Sequence, residues 1–260
     1  MTATAPTAGL ACLFGAVALA ACGGSTTSPT PQGPGASGPA LTEITTTAHY
    51  TIHASSGDTV DTAWQDAYYE WLLPALQLQS TPRLDYHKYR DRAHLAAVTG
   101  RSTNGFAEPG TTRFHTIWTI DNHEGVHTVV ILQIGHPPAL FNEGVAVAHQ
   151  TDPVRGLLRP RWNGTDLDAL ARMYEAGGQL PPLSSLLTSI DFFRFDSNIT
   201  YPCAGSFVRH LIDDYGLAAF KTYVASATFD DAAGVTEARF MTAYGRTLSS
   251  VWEEWRARIR

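Results

Sequence analysis

DNHEGVHTVVIL, residues 121–132, followed after two residues by GHPPALFNEGVAVA, residues 135–148, is the stretch on which the reading of this chain turns. Within it His123-Glu124-Gly125-Val126-His127 is an HExxH pattern. Four helical residues turn about 400° and rise about 6 Å, so both imidazoles leave one helix face, one turn apart, able to share a small cation. Glu124 stands about 100° round, within reach of a metal-bound water without itself being a ligand. Neutral imidazole suits zinc, and three protein ligands leave a fourth position for water. Zinc lowers the pKa of that water to about 7, and a carboxylate can take its proton. With 10 His and 9 Glu in 260 residues, such a pattern arises by chance about once in a hundred chains. Its setting supports a real helix. Asp121 or Asn122 can cap the start, Thr128 to Leu132 is apolar enough to be buried, and Gly135 with Pro137-Pro138 ends it.

A zinc site needs a third ligand. Beyond His127, Phe141-Asn142-Glu143-Gly144-Val145-Ala146, with Glu143 sixteen residues on, opens a second helix after the Pro-Pro turn. This resembles the second signature of the gluzincin metallopeptidases, and more closely the peptidase MA-like group of bacterial proteins. Pro138, Leu140, Phe141, Asn142, Glu143, Gly144 and Ala146 carry the likeness, with Leu140 where that group often has tryptophan. Stretches at 180–186, 201–216 and 244–255 are similar to its C-terminal helices, so the resemblance covers about 105–260. It implies a zincin-like fold in which His123, His127 and Glu143 hold Zn2+ and Glu124 is the general base. Gly144 and Ala146 would let the second helix approach the first. It also implies a donor for the oxyanion; Tyr201 is the first candidate, with His210 and Arg209 behind it. An acid that some gluzincins place four residues after the glutamate is Val147 here, so the group orienting a ligand imidazole falls to Asp121 or a backbone carbonyl.

Outward from this core, the region before residue 121 reads as mixed strand and helix. Residues 49–53 alternate like a strand, and 59–78 carry apolar residues at helical spacing with Pro74 bending or ending the helix. Residues 83–90 alternate again, 92–99 suit a short helix, and 106–120 offer one or two β segments broken at Glu108-Pro109-Gly110. From 121 onward the chain reads as helical. Strands first and helices afterwards is an α+β pattern: a small mixed part with a β-sheet, then a mostly helical part. The β segment in 113–120 is expected to hold an extended peptide by main-chain pairing, with His115 near the cleft. The remaining histidines show no ligand spacing, and Cys203 reads as a small buried thiol.

The first forty residues are different in kind. Residues 10–21 form an apolar run too short to span a bilayer but suited to a signal-peptide core, and Leu19-Ala20-Ala21-Cys22-Gly23 resembles the lipobox of bacterial lipoproteins. That likeness implies cleavage before Cys22 and a lipid on its thiol, although no Lys or Arg precedes the run. The expected division is a signal at 1–21, a flexible Gly/Ser/Thr/Pro linker at 22–42 and a metallopeptidase domain at 43–260.

Composition sets the outer limits. Apolar residues at 44% exclude global disorder, and a formal charge of −6 argues against nucleic acid as the main partner. The reading is therefore a zinc metallopeptidase acting on a peptide or protein, lipid-anchored outside the cytoplasmic membrane. Its competitors are a binding lipoprotein on the same fold without turnover, and a zinc hydrolase of a non-peptide amide.

Overall fold

The computed structural model describes residues 41–79 and 82–260. The signal segment, Cys22 and all but the end of the linker lie outside them. The chain folds as α+β. Strands β1 (Glu43–Thr46) and β2 (Tyr50–Ala54) lead into helix α1 (Thr62–Ala75), then β3 (Leu84–Lys88) and α2 (Arg92–Thr99). Strands β4 (Gly105–Ala107) and β5 (Arg113–Thr116) complete a mixed sheet of order β1-β2-β3-β5-β4. The inner pairs β2–β3 and β3–β5 are parallel, and the outer pairs are antiparallel. Tyr50, Ile52, Leu84, Tyr86 and Phe114 face one side and join the main core with Trp64, Tyr68 and Leu72 of α1. Pro74 sits in the last turn of α1, and the helix ends one residue later at Ala75, as a ring that removes an i−4 hydrogen bond favours.

This arrangement corrects one expectation. Strand β5 has β3 on one side and β4 on the other, so its main chain is fully committed and cannot pair a peptide. The edge beside the helical part is β4, a three-residue strand at the start of the region read only as β-rich.

The helical part begins with α3 (His123–Gln133) and α4 (Ala139–Ala148). A hairpin, β6 (Arg161–Trp162) and β7 (Thr165–Asp166), interrupts the helices before α5 (Leu167–Ala176) and the short α6 (Ser189–Phe192). Helices α7 (Ser197–Tyr215), α8 (Leu217–Ser226), α9 (Ala233–Tyr244) and α10 (Leu248–Ile259) close the chain. The expectation of helices separated only by breaks from 121 onward fails at that hairpin. Asn163 and Gly164 both take positive φ, 50° and 80°, the two-residue turn that an Asn-Gly pair favours between twisted strands. Among the described residues no helix is long and apolar enough to cross a membrane.

Gly144 also acts differently from its expected part in bringing α4 to α3. A Cβ there would lie 2.5 Å from Val208 Cγ2 and 2.8 Å from the Ala204 carbonyl, so its smallness admits α7. Gly205 returns the favour, since a Cβ would sit 2.6 Å from Val147 Cγ1. Gly144→Ala should therefore cost about 1–3 kcal/mol from overpacking against backbone that cannot yield. Gly125→Ala, whose Cβ would meet nothing within 4 Å, should hold or slightly raise stability through helix propensity. Urea midpoints of the two variants check the contrast; equal losses would refute it.

Candidate metal centre

Helix α3 is started by a residue just outside it. Asn122 precedes the first turn in helical geometry and makes no cap bond of its own. Asp121 Oδ1 instead accepts the Glu124 amide at 2.9 Å, and its carboxyl also takes bonds from the His123 amide and the Thr116 side chain. Because Thr116 ends β5, this carboxylate fastens the helix start to the sheet. Burial raises the Asp121 pKa, and those hydrogen bonds oppose the rise. Asn122 Nδ2 donates to the Thr151 carbonyl at 2.8 Å, tying the same corner to the segment after α4.

From this start the two histidines project together. His123 Nε2 and His127 Nε2 are 3.1 Å apart, and each is 3.2 Å from Glu143 Oε2. The imidazole planes stand at 87° to one another. His127 and Glu143 are buried and His123 is partly open. The three donor atoms are the one group among the described residues able to hold a metal ion. The residues fit zinc in shape and chemistry. Three atoms with these separations have a centre about 1.8 Å from each, so an ion slightly off their plane reaches all three at about 2.0–2.1 Å, the usual zinc distance. Hydrogen bonds alone serve the trio poorly. Two N–H groups aimed at one carboxylate oxygen leave the 3.1 Å nitrogen–nitrogen contact repulsive, whereas a cation draws in all three lone pairs.

Glu143 is a carboxylate on a helix whose every residue is buried. Burial works to raise its pKa, but His127 and the hydrogen bonds from both imidazoles outweigh it and hold the group below the ordinary carboxylate range. Glu124 goes the other way. Burial pushes it up to about 8, Asp121 and Glu143 add to the rise, and His123 opposes it. Its carboxylate rests against the edge strand. It accepts a hydrogen bond from the Ala107 amide, and a Cβ on Gly105 would fall 2.9 Å from Glu124 Oε1.

Tyr201, in the first turns of α7, lies beside the trio. Its ring is parallel to the His123 imidazole within 15° at 5.9 Å, with Trp162 at 5.5 Å and Phe192 at 6.0 Å. The alternatives are engaged elsewhere: His210 pairs with Asp214 and Arg258, and Arg209 with Asp213. Nor does His115 face the centre. It turns from the Phe114 side of the sheet and bonds Tyr89 and Glu108. Among the described residues, Asp121 caps the helix without a hydrogen bond to an imidazole side chain, and His127 Nδ1 is buried without a hydrogen-bond partner. Sequence reasoning missed three neighbours: Gly105, Trp162 and His136. His136 stacks on Phe229 at 4.5 Å, and its pKa falls to about 4 through burial, with smaller effects from His127 and Glu143. The Asn-Gly turn that places Trp162 was the one available signal.

No family model and no curated protein matches the sequence. Among solved structures, a mutant M1 zinc metallopeptidase from Deinococcus radiodurans is similar, with a TM-score of 0.48 and 14% identity. The match covers 82% of this chain and 50% of that one, so the chain spans half the length of that protein.

The purified protein should carry about one zinc per chain, and His123→Ala should weaken zinc binding by more than about 100-fold. Elemental analysis after dialysis measures both. Stripping the metal with chelator should also lower the melting temperature, because an ion at a hundredfold excess over its Kd adds about 2.7 kcal/mol. A melting point indifferent to zinc would contradict the assignment of this trio.

Proposed function

We propose that this chain is a zinc-dependent metallopeptidase of the gluzincin type, lipid-anchored through Cys22 outside a bacterial cytoplasmic membrane. The observation that carries the catalytic part is the convergence of His123, His127 and Glu143 on one point, with Glu124 beside them against an open sheet edge. His123, His127 and Glu143 would hold the ion. When bound, zinc acidifies its water and polarises a carbonyl oxygen.

The rest falls to groups of the chain. Glu124 takes the proton from the attacking water and passes it to the leaving amine, a duty suited to a carboxylate whose burial lifts its pKa toward neutrality. Strand β4 receives the substrate. Asn104 and Glu108 bond across to β5, so Gly105 and Ala107 turn their main-chain groups the other way. With the Ala107 amide on Glu124 and the Gly105 carbonyl on Thr103 Oγ1, the Gly105 amide and the Ala107 carbonyl would pair a peptide. A peptide laid along that edge runs past the carboxylate that Gly105 makes room for. Tyr201 is the proposed donor to the oxyanion, favoured by its place against His123.

Glu124→Gln should keep the zinc and lower peptide hydrolysis by about 10²–10⁴-fold. Tyr201→Phe should lower kcat by about 10²–10³-fold with little change in KM. Digestion of a peptide library with and without chelator, alongside zinc analysis of each variant, tests both. A Glu124→Gln protein that hydrolyses normally would end the proposed mechanism. Full-length protein made in a bacterium should take up labelled fatty acid, and Cys22→Ser should abolish the label. Labelling that persists in the variant would refute the anchor.

A further inference from the structure

The segment that follows α4 combines two properties seldom left together on a surface. Residues 153–162 read PVRGLLRPRW. Val154, Leu157 and Leu158 are 51%, 49% and 59% exposed, three large apolar side chains within five positions. Arg155, Arg159 and Arg161 are exposed among them, and no acid occurs from 153 to 165. The segment is thus three positive charges on a chain of formal charge −6. Scattered apolar residues on a surface need no account, but a cluster with guanidinium groups at its sides does.

The exposure does not come from a loose backbone. Asp152 and Leu157 exchange main-chain hydrogen bonds of 2.9 and 2.8 Å, closing a turn at whose end Gly156 takes φ 73°. Asp152 caps that turn, accepts Trp64 Nε1 at 2.9 Å and pairs with Arg155 at 3.0 Å. At the far stem Arg161 donates to the Gly164 carbonyl at 3.2 Å, and Trp162 packs on Tyr201. A held turn therefore pushes its apolar side chains outward. Convex apolar groups fit a soft medium better than a shaped groove, and the arginines supply the complement to negative headgroups.

We propose that residues 153–162 dock this protein on an anionic lipid surface, with Val154, Leu157 and Leu158 entering the boundary between headgroups and acyl chains and Arg155, Arg159 and Arg161 meeting lipid phosphates. The inference stands apart from the metal reading. Thr151, two residues before the segment, is tied to Asn122, and Trp162 at its end packs on Tyr201, so docking brings the rim of the metal centre to the bilayer.

The test uses the full chain with Cys12→Ala and Cys22→Ala, which removes acylation and leaves Cys203, a thiol only 1% exposed and pushed up to about 12 by burial. An environment-sensitive fluorophore is attached through Leu158→Cys, and in a second protein through Ala238→Cys on exposed α9 surface. Both share the same N-terminal run, so only a local event separates them. Vesicles of phosphatidylglycerol and phosphatidylcholine should raise and blue-shift the emission at 158 and leave 238 unchanged, while pure phosphatidylcholine should do little. High salt should weaken the response. Replacing Arg155, Arg159 and Arg161 with Gln should raise the lipid concentration at half-saturation on the order of 100-fold. No response at 158, an equal response at 238, or a response to polyglutamate without one to vesicles would overturn the proposal, the last in favour of an acidic polypeptide. Zinc content and peptidase activity are read separately, so failure here leaves the metal assignment standing, and the reverse.

Discussion

A single buried negative charge organises the helical part. Glu143 stands on a helix with no exposed residue, where an unpaired carboxylate would cost several kcal/mol. Two imidazole nitrogens at 3.2 Å make its position tolerable, and they do so only if α3 and α4 keep one relative placement. Each end of that placement is secured by a separate device. Asp121 takes amides from the first turn of α3 while holding the Thr116 side chain at the end of β5, so the sheet fixes where the histidines start. Gly144 and Gly205 let α4 sink against α7, so the helical body fixes where the carboxylate ends. The trio is thus the meeting point of two rigid parts, and a shift of either separates its atoms.

The sequence was most legible where one requirement dominated. His123 and His127 are related by helix geometry alone, and their convergence needed only α3 to form. The expected helix over 92–99 is found at Arg92–Thr99, because an Asp91 cap and a Gly100 in the left-handed region mark its ends. Glu143 was singled out by the resemblance of 138–146 to a gluzincin signature rather than by local pattern, and in the fold its carboxylate lies 3.2 Å from both imidazole nitrogens. Less was legible where long-range pairing decides. Strand order cannot be read from local pattern, so β5 looked like the open strand although β4 folds back to cover it. The hairpin at β6 and β7 was hidden inside apparently helical sequence, despite the Asn163-Gly164 turn that forms it. The role of Gly144 was misassigned because sequence shows that a helix must pack closely, but not against which partner.

Two carboxylates one helix apart meet opposite surroundings, and that contrast is the strongest argument for distinct duties. Glu143 is enclosed by imidazoles, which keep it ionised against its burial. Glu124 is equally buried but has acids on two sides and one main-chain donor, so its proton affinity climbs instead. A ligand must stay charged to hold a cation, and a base must be able to gain and lose a proton near neutral pH. Environments that push two acids apart in this way sort them into separate roles. The edge strand completes the sorting. Gly105 leaves room for the Glu124 carboxylate where a Cβ would fall 2.9 Å from its Oε1, and the Ala107 amide donates to it. A substituent at 105 would therefore disturb the proposed base without touching His123, His127 or Glu143, so the proposed peptide-binding strand also aims the carboxylate proposed to act there.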